Sequence, residues 1–171
     1  HGIPVRVGSN TGSIEKEFLS KYGVCETSLV ESALKSVGML EKYGVENIVI
    51  SVKASSVPLT YKAYTMLSSR TDYPLHIGVT EAGTYESALV KSSAALGALL
   101  LNGIGDTIRV SITGNPVREI YAARRILQSV GLDKNFADVI SCPTCGRCQW
   151  NSAALAELVS DKVKNIKKPL K

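Results

Sequence analysis

Apolar residues along this chain recur with two alternating periods. Short runs rich in Val and Ile, at Ile3–Ser9, Asn47–Val52, Leu75–Thr80, Thr107–Thr113 and Ala137–Ser141, read as strands. Between them lie segments with helical spacing. Glu26–Tyr43 sets Leu29, Val30, Ala33, Leu34, Val37 and Leu40 on one face. Val57–Ser69 carries Pro58 in its first turn, where a missing N–H costs nothing. Tyr85–Leu101 is rich in Ala and Leu and stops at Asn102-Gly103. Pro116–Val130 stops at Gly131, and a last helix spans about Asn151–Lys164 with Asn151 or Ser152 as its cap. Strict alternation of strand and helix predicts an α/β fold with a parallel sheet and right-handed crossovers.

A doubly wound sheet or part of a (β/α)8 TIM barrel satisfies that alternation, and the polar residues separate the two. Strand side chains alternate faces. Arg6, Gly8 and Asn10 therefore share a face, as do Ser51 and Lys53, His76 and Thr80, and Arg109, Ser111 and Thr113. Every predicted strand ends in polar residues, which is the pattern of a barrel mouth. A doubly wound sheet concentrates its site at one switch point and leaves other strand ends bland. With about five βα units where a barrel needs eight, the expectation is a partial barrel.

Composition adds limits. The apolar fraction of 44% supports a sizeable core. The formal charge of +5 gathers in the tail, at Lys162, Lys164, Lys167, Lys168 and Lys171, read as a solvated helix end. No Lys/Arg stripe interleaves with aromatics, so nucleic acid is not an expected partner. The longest apolar run, Ala94 to Leu101, is far too short for a membrane span. Three of the four cysteines cluster, which fits a reducing cytoplasm and a metal site better than a disulfide framework.

Three strand-borne cations, Arg6, Lys53 and Arg109, converge on one rim, and buried cations need anionic company. A phosphorylated small molecule supplies it, through the planar guanidinium forks and the point charge of lysine. Salt bridges to carboxylates are the alternative, but Glu81 is the main carboxylate on these faces. Neither a Walker motif nor G-x-G-x-x-G is present, which disfavours a nucleotide. Glu81 is a candidate general acid or base, or a carboxylate at a helix N-terminus. His76 is a substrate contact or a satisfied core histidine. Asn10 positions a substrate oxygen or caps the next turn. Cys142, Cys145 and Cys148, spaced C-x2-C-x2-C, suit zinc or an iron–sulfur cluster, while Cys25 reads as a packed or capping residue.

Five segments carry a family resemblance. They are Pro4-Val-Arg6-Val-Gly-Ser-Asn10-Thr-Gly12-Ser, Ile50-Ser-Val-Lys53-Ala-Ser, Tyr73-Pro-Leu-His76-Ile-Gly-Val-Thr-Glu81-Ala-Gly83, Gly103-Ile-Gly105-Asp106-Thr-Ile-Arg109-Val-Ser111 and Ile140-Ser-Cys142-Pro-Thr-Cys145-Gly-Arg147. Together and in this order they resemble the 4-hydroxy-3-methylbut-2-enyl diphosphate synthases of the methylerythritol phosphate pathway. The resemblance implies reductive opening and dehydration of 2-C-methyl-D-erythritol 2,4-cyclodiphosphate, using a [4Fe-4S] cluster and electrons from flavodoxin or ferredoxin. It implies substrate contacts at Arg6, Asn10, Lys53, Arg109 and Ser111, to which His76 is added as a candidate, an acid at Glu81, and cluster ligands at Cys142 and Cys145. A partial barrel leaves sheet edges unpaired, so a homodimer in a bacterial cytoplasm is expected. Under it the chain is barrel strands four to eight, with the first three units and a cluster domain holding the other ligands outside it, and is inactive by itself. The other reading is a phosphate-binding α/β module with a structural zinc site.

Overall fold

A computed structural model describes residues 2–166 and 168–170. The chain divides into two compact units, one up to Ile126 and one from Leu127 onward. The first unit holds β1 (Val5–Asn10), α1 (Lys16–Tyr22), α2 (Glu26–Lys42), β2 (Ile48–Lys53), α3 (Val57–Ser68), β3 (His76–Gly78), α4 (Tyr85–Leu101) and β4 (Thr107–Arg109). Helix α5 (Val117–Ser129) runs across the division, and α6 (Ser152–Val163) belongs to the second unit.

All strand pairs are parallel. β1 pairs with β2, and β3 with β4. A bridge at Ile50 and Leu75 joins β2 to β3, so strand order follows chain order. Order without reversal is the barrel arrangement, whereas a doubly wound sheet reverses at its switch point.

The two faces of this sheet differ sharply. Ile48, Ile50, Val52, Leu75, Ile77, Val79, Val110 and Ile112 point to one side and are all buried. They meet the apolar stripes of α2 (Leu29, Val30, Ala33, Val37), α3 (Ala63, Tyr64, Leu67) and α4 (Ala88, Ala95, Leu96, Leu99). Helical period matched to strand period makes this the core, and burial of these side chains drives the fold.

Tyr64 explains why the link between β2 and β3 is a single bridge. Ile50 N–H donates to the Pro74 carbonyl at 2.9 Å, which sets the register. Continued, that register would pair the Val52 N–H with the His76 carbonyl. Instead the buried Tyr64 hydroxyl stands between them, accepting from Val52 N–H at 3.2 Å and donating to the His76 carbonyl at 2.6 Å. The ladder resumes in the same register with Thr80 N–H to the Ala54 carbonyl at 3.2 Å. Burial pushes the Tyr64 phenol well above its ordinary range, so it stays a protonated donor.

Several expectations need correction. Among the described residues there are four strands, not five. The segment 137–141 makes one bridge, Ala137 to Leu170, and Ile140 is 76% exposed. Apolar residues alone do not make a strand without a partner ladder. β3 and β4 are three residues each, paired from His76–Thr107 to Gly78–Arg109. Helix α1 is additional; with only Phe18 and Leu19 to pack, its pattern is too short to read. The tail lysines Lys162, Lys164 and Lys168 are exposed, as expected. Lys167 and Lys171 lie outside the described residues. Asn151 is the cap of α6, accepting from Ala154 N–H at 3.0 Å.

Tyr64→Phe leaves the Val52 N–H and His76 carbonyl without their bridging group. We expect a loss of about 1–3 kcal/mol in urea unfolding. An unchanged midpoint would mean the two strands close directly.

Candidate functional site

The face of the sheet away from the helices carries the polar residues in layers. Asn10 is in register with Lys53, and Gly78 with Arg109. The β2–β3 register sets Lys53 beside Gly78. Asn10, Lys53, Gly78 and Arg109 therefore form one row across four strands. The row below is Gly8, Ser51, His76 and Thr107. Arg6 lies one step lower still on β1, beside Val49.

The glycines in these rows are required by close approach. A Cβ at position 8 would lie 1.9 Å from the Ser51 carbonyl oxygen, and one at 78 would lie 2.7 Å from that of Arg109. Without a side chain at 78, nothing in the row stands between Lys53 and Arg109.

Lys53 is only 7% exposed. Lys53 is in none of the ion pairs of the described residues, such as Lys35–Glu17, Arg70–Glu31 and Lys164–Asp161. Burial, then the charges of Arg109 and Arg6, bring the Lys53 ammonium down to about 8. The same forces act on His76, which burial first and then Lys53, Arg6 and Arg109 lower to about 4. His76 is thus a neutral imidazole at pH 7. Its Nδ1 meets Thr107 Oγ1 at 2.8 Å, while its buried Nε2 has no hydrogen-bond partner. Arg109 Nε is likewise buried without one. This face thus carries three cations and two buried polar atoms without a protein hydrogen-bond partner.

The remaining candidates surround this face. Asn10 caps its turn: its Oδ1 accepts from Gly12 N–H at 2.9 Å. Ser111 follows β4 between the buried Val110 and Ile112, and so faces away from the core. Glu81 is exposed, with its backbone in the left-handed region at φ 51°. A non-glycine residue there carries strain, which collects at functional loops. The loop is held by the buried Ala82 and by Thr113 N–H donating to the Gly83 carbonyl at 3.0 Å.

In the second unit, Cys142 and Cys145 are exposed, with Thr144 at φ 71° between them. Bonding from the Arg147 backbone and side chain holds the Cys145 thiol below its ordinary range. The Cys148 thiol donates to the Trp150 carbonyl at 3.0 Å. Among the described residues no three His, Cys, Asp or Glu side chains gather as a metal site. Beside the thiols lies a cavity of about 480 Å³, with Ile140, Trp150, Leu155 and Val159 in its wall. Cys25 is the N-cap of α2, with Ser28 Oγ accepting from its N–H at 3.1 Å.

The profile of the GcpE TIM-barrel domain matches residues 1–124. This chain belongs to the GcpE TIM-barrel family. A relative from Caldanaerobacter subterraneus subsp. tengcongensis, the 4-hydroxy-3-methylbut-2-en-1-yl diphosphate synthase (flavodoxin), is 57% identical over 171 residues, covering 99% of this chain and 48% of its own length. Proteins of the same name from Helicobacter hepaticus and Ruminiclostridium cellulolyticum are 51% and 50% identical, each over 99% of this chain and 48% of their own length. The chain spans about half the length of the curated relatives it matches. No helix among the described residues is long and apolar enough to cross a membrane.

Two contributors to this GcpE-family face escaped the sequence reading. Thr107, the partner of His76, continues the period-two series of Arg109 and Ser111 backward by one step. Tyr64 left no local signal, since its role depends on register between two strands.

The lowered values give signed expectations. Between pH 8 and 10.5 the unfolded chain holds a Lys53 proton that the folded chain has released, so folding gains stability as pH rises through that window. Between pH 6.5 and 4 the unfolded chain binds a His76 proton that the folded chain refuses, so stability falls as pH drops. Lys53→Met should raise Tm at pH 7 by a few degrees, and His76→Gln should flatten the acid limb. A lower Tm for Lys53→Met at every pH would show that the ammonium is compensated.

Proposed function

We propose that this chain supplies the substrate-binding barrel face of a 4-hydroxy-3-methylbut-2-enyl diphosphate synthase. Such an enzyme reductively opens and dehydrates 2-C-methyl-D-erythritol 2,4-cyclodiphosphate. The observation that carries the reading is one sheet face with the buried Lys53, the half-buried Arg109 and the exposed Arg6, none of them in an ion pair among the described residues, beside the unpartnered His76 Nε2 and Arg109 Nε. A cyclic diphosphate brings the negative charge and acceptor oxygens this face lacks. Names of relatives at about half identity over nearly the whole chain agree with it.

In this reading Arg109 and Arg6 take phosphate oxygens through their guanidinium forks, and Lys53 adds a charge between them. Neutral His76, fixed through Thr107, presents Nε2 to the ligand. Asn10 and Ser111 complete the polar wall. Glu81, on a strained loop at the strand ends, holds or delivers the proton that accompanies loss of water. The strands β1 to β4 take places four to seven of the barrel.

The donor chemistry at Cys142 and Cys145 fits two ligands of a [4Fe-4S] cluster: two exposed thiols three residues apart on one turn. When bound, that group supplies the two electrons of the reaction, drawn from flavodoxin or ferredoxin. The rest of its ligand set is not among the residues gathered here. Open strands at the sheet's ends favour a homodimer in this reading.

The test is turnover of the cyclodiphosphate by the cluster-loaded enzyme carrying this chain, with a reduced one-electron donor. Glu81→Gln should cut kcat by about 10²-fold or more with KM little changed. Arg109→Met should chiefly raise KM. Absence of turnover in the loaded wild-type enzyme would sink the reading, and unchanged kcat in Glu81→Gln would remove that residue's role.

A further inference from the structure

Lys53 differs from the other twelve lysines of the chain in three ways. It is buried, whereas the rest of the described lysines are half-buried or exposed. It makes none of the ion pairs of the described residues. It also stands at the end of β2, across the bare Gly78 from Arg109, with Asn10 on its other side. The charges acting on it are those of Arg109 and Arg6, with His76 in the row below and itself neutral. An amine in such company is held partly unprotonated, the condition for nucleophilic lysine chemistry.

We propose that Lys53 is a carbonyl-reactive lysine, and that this face captures phosphorylated aldehydes by forming an imine at Nζ. The inference rests on the anion-binding reading of the same face. Arg109 and Arg6 hold the phosphate group, and the short aldehyde arm reaches the amine between them. Nζ attacks the carbonyl carbon, forming the C–N bond. The carbonyl oxygen leaves as water, taking the two hydrogens of the neutral amine. Nothing is oxidised or reduced, so no further reactant is needed. The adduct occupies the site meant for a diphosphate, and phosphorylated aldehydes therefore act as reversible covalent inhibitors competing with it.

Before any anion binds, about a tenth of Lys53 is the free amine at pH 7, against well under a thousandth for an ordinary lysine. Selectivity should therefore be measurable. The probe is pyridoxal 5′-phosphate at limiting concentration, with borohydride reduction and peptide mass spectrometry, run beside phosphate-free pyridoxal. Labelling of Lys53 should exceed that of any other lysine by about tenfold or more. It should fall to the background of the other lysines with pyridoxal, and be suppressed by inorganic diphosphate. Adducts spread evenly over the lysines would overturn the proposal, as would equal labelling of Lys53 by pyridoxal. Cyclodiphosphate turnover with Lys53 unlabelled would overturn this inference alone. Phosphate-dependent labelling of Lys53 in a loaded enzyme without turnover would leave it standing and sink the proposed reaction instead.

Discussion

Positive charge with no ion pair among the described residues, held on one face of a parallel sheet, is the constraint on which the candidate site depends. The opposite face is fully engaged by α2, α3 and α4, and supplies the burial that stabilises the unit. That leaves the second face to carry Arg6, Lys53, Arg109 and His76. A buried ammonium beside two guanidiniums is unfavourable by itself. Its retention is intelligible if stability is traded for an anion that restores balance on binding, since functional sites are where such local conflicts persist.

Geometry makes that conflict usable. Gly8 and Gly78 keep the rows of the face shallow where neighbouring backbone comes within contact distance. Tyr64 reaches through the sheet from α3 and replaces one direct ladder bond with a hydroxyl bridge. The β2–β3 junction is thus tied to the helix layer directly behind Lys53 and His76. The imidazole is oriented by Thr107, so its direction is set before any ligand arrives.

Much of this was legible in the residues. Period-two alternation placed Arg6 and Asn10 on one face, Lys53 with Ser51, and Arg109 with Ser111, and the structure keeps those pairings. Helices α2 to α6 were legible from their stripes and end signals, such as Pro58 in the first turn of α3 and Asn151 before α6. What failed depends on contacts distant in sequence. The run 137–141 has strand composition but lacks a ladder among the described residues. Helix α1 is held by packing of Phe18 and Leu19 rather than by its own pattern. Tyr64 reads as one more apolar position on α3, and only the register of β2 against β3 reveals its hydroxyl's place. Asn10 kept both of its possible roles open, and its turn-capping bond is the one observed.

The central claim, that Lys53 is an uncompensated amine awaiting an anion, is tested most directly by proton linkage. Inorganic diphosphate is titrated calorimetrically at pH 8.5 in buffers of different ionisation enthalpy. An anion seated beside Lys53 should restore its proton, so binding should take up a net proton from solution, with the uptake lost in Lys53→Met. Absence of saturable binding, or proton uptake unaltered by that substitution, would contradict the account.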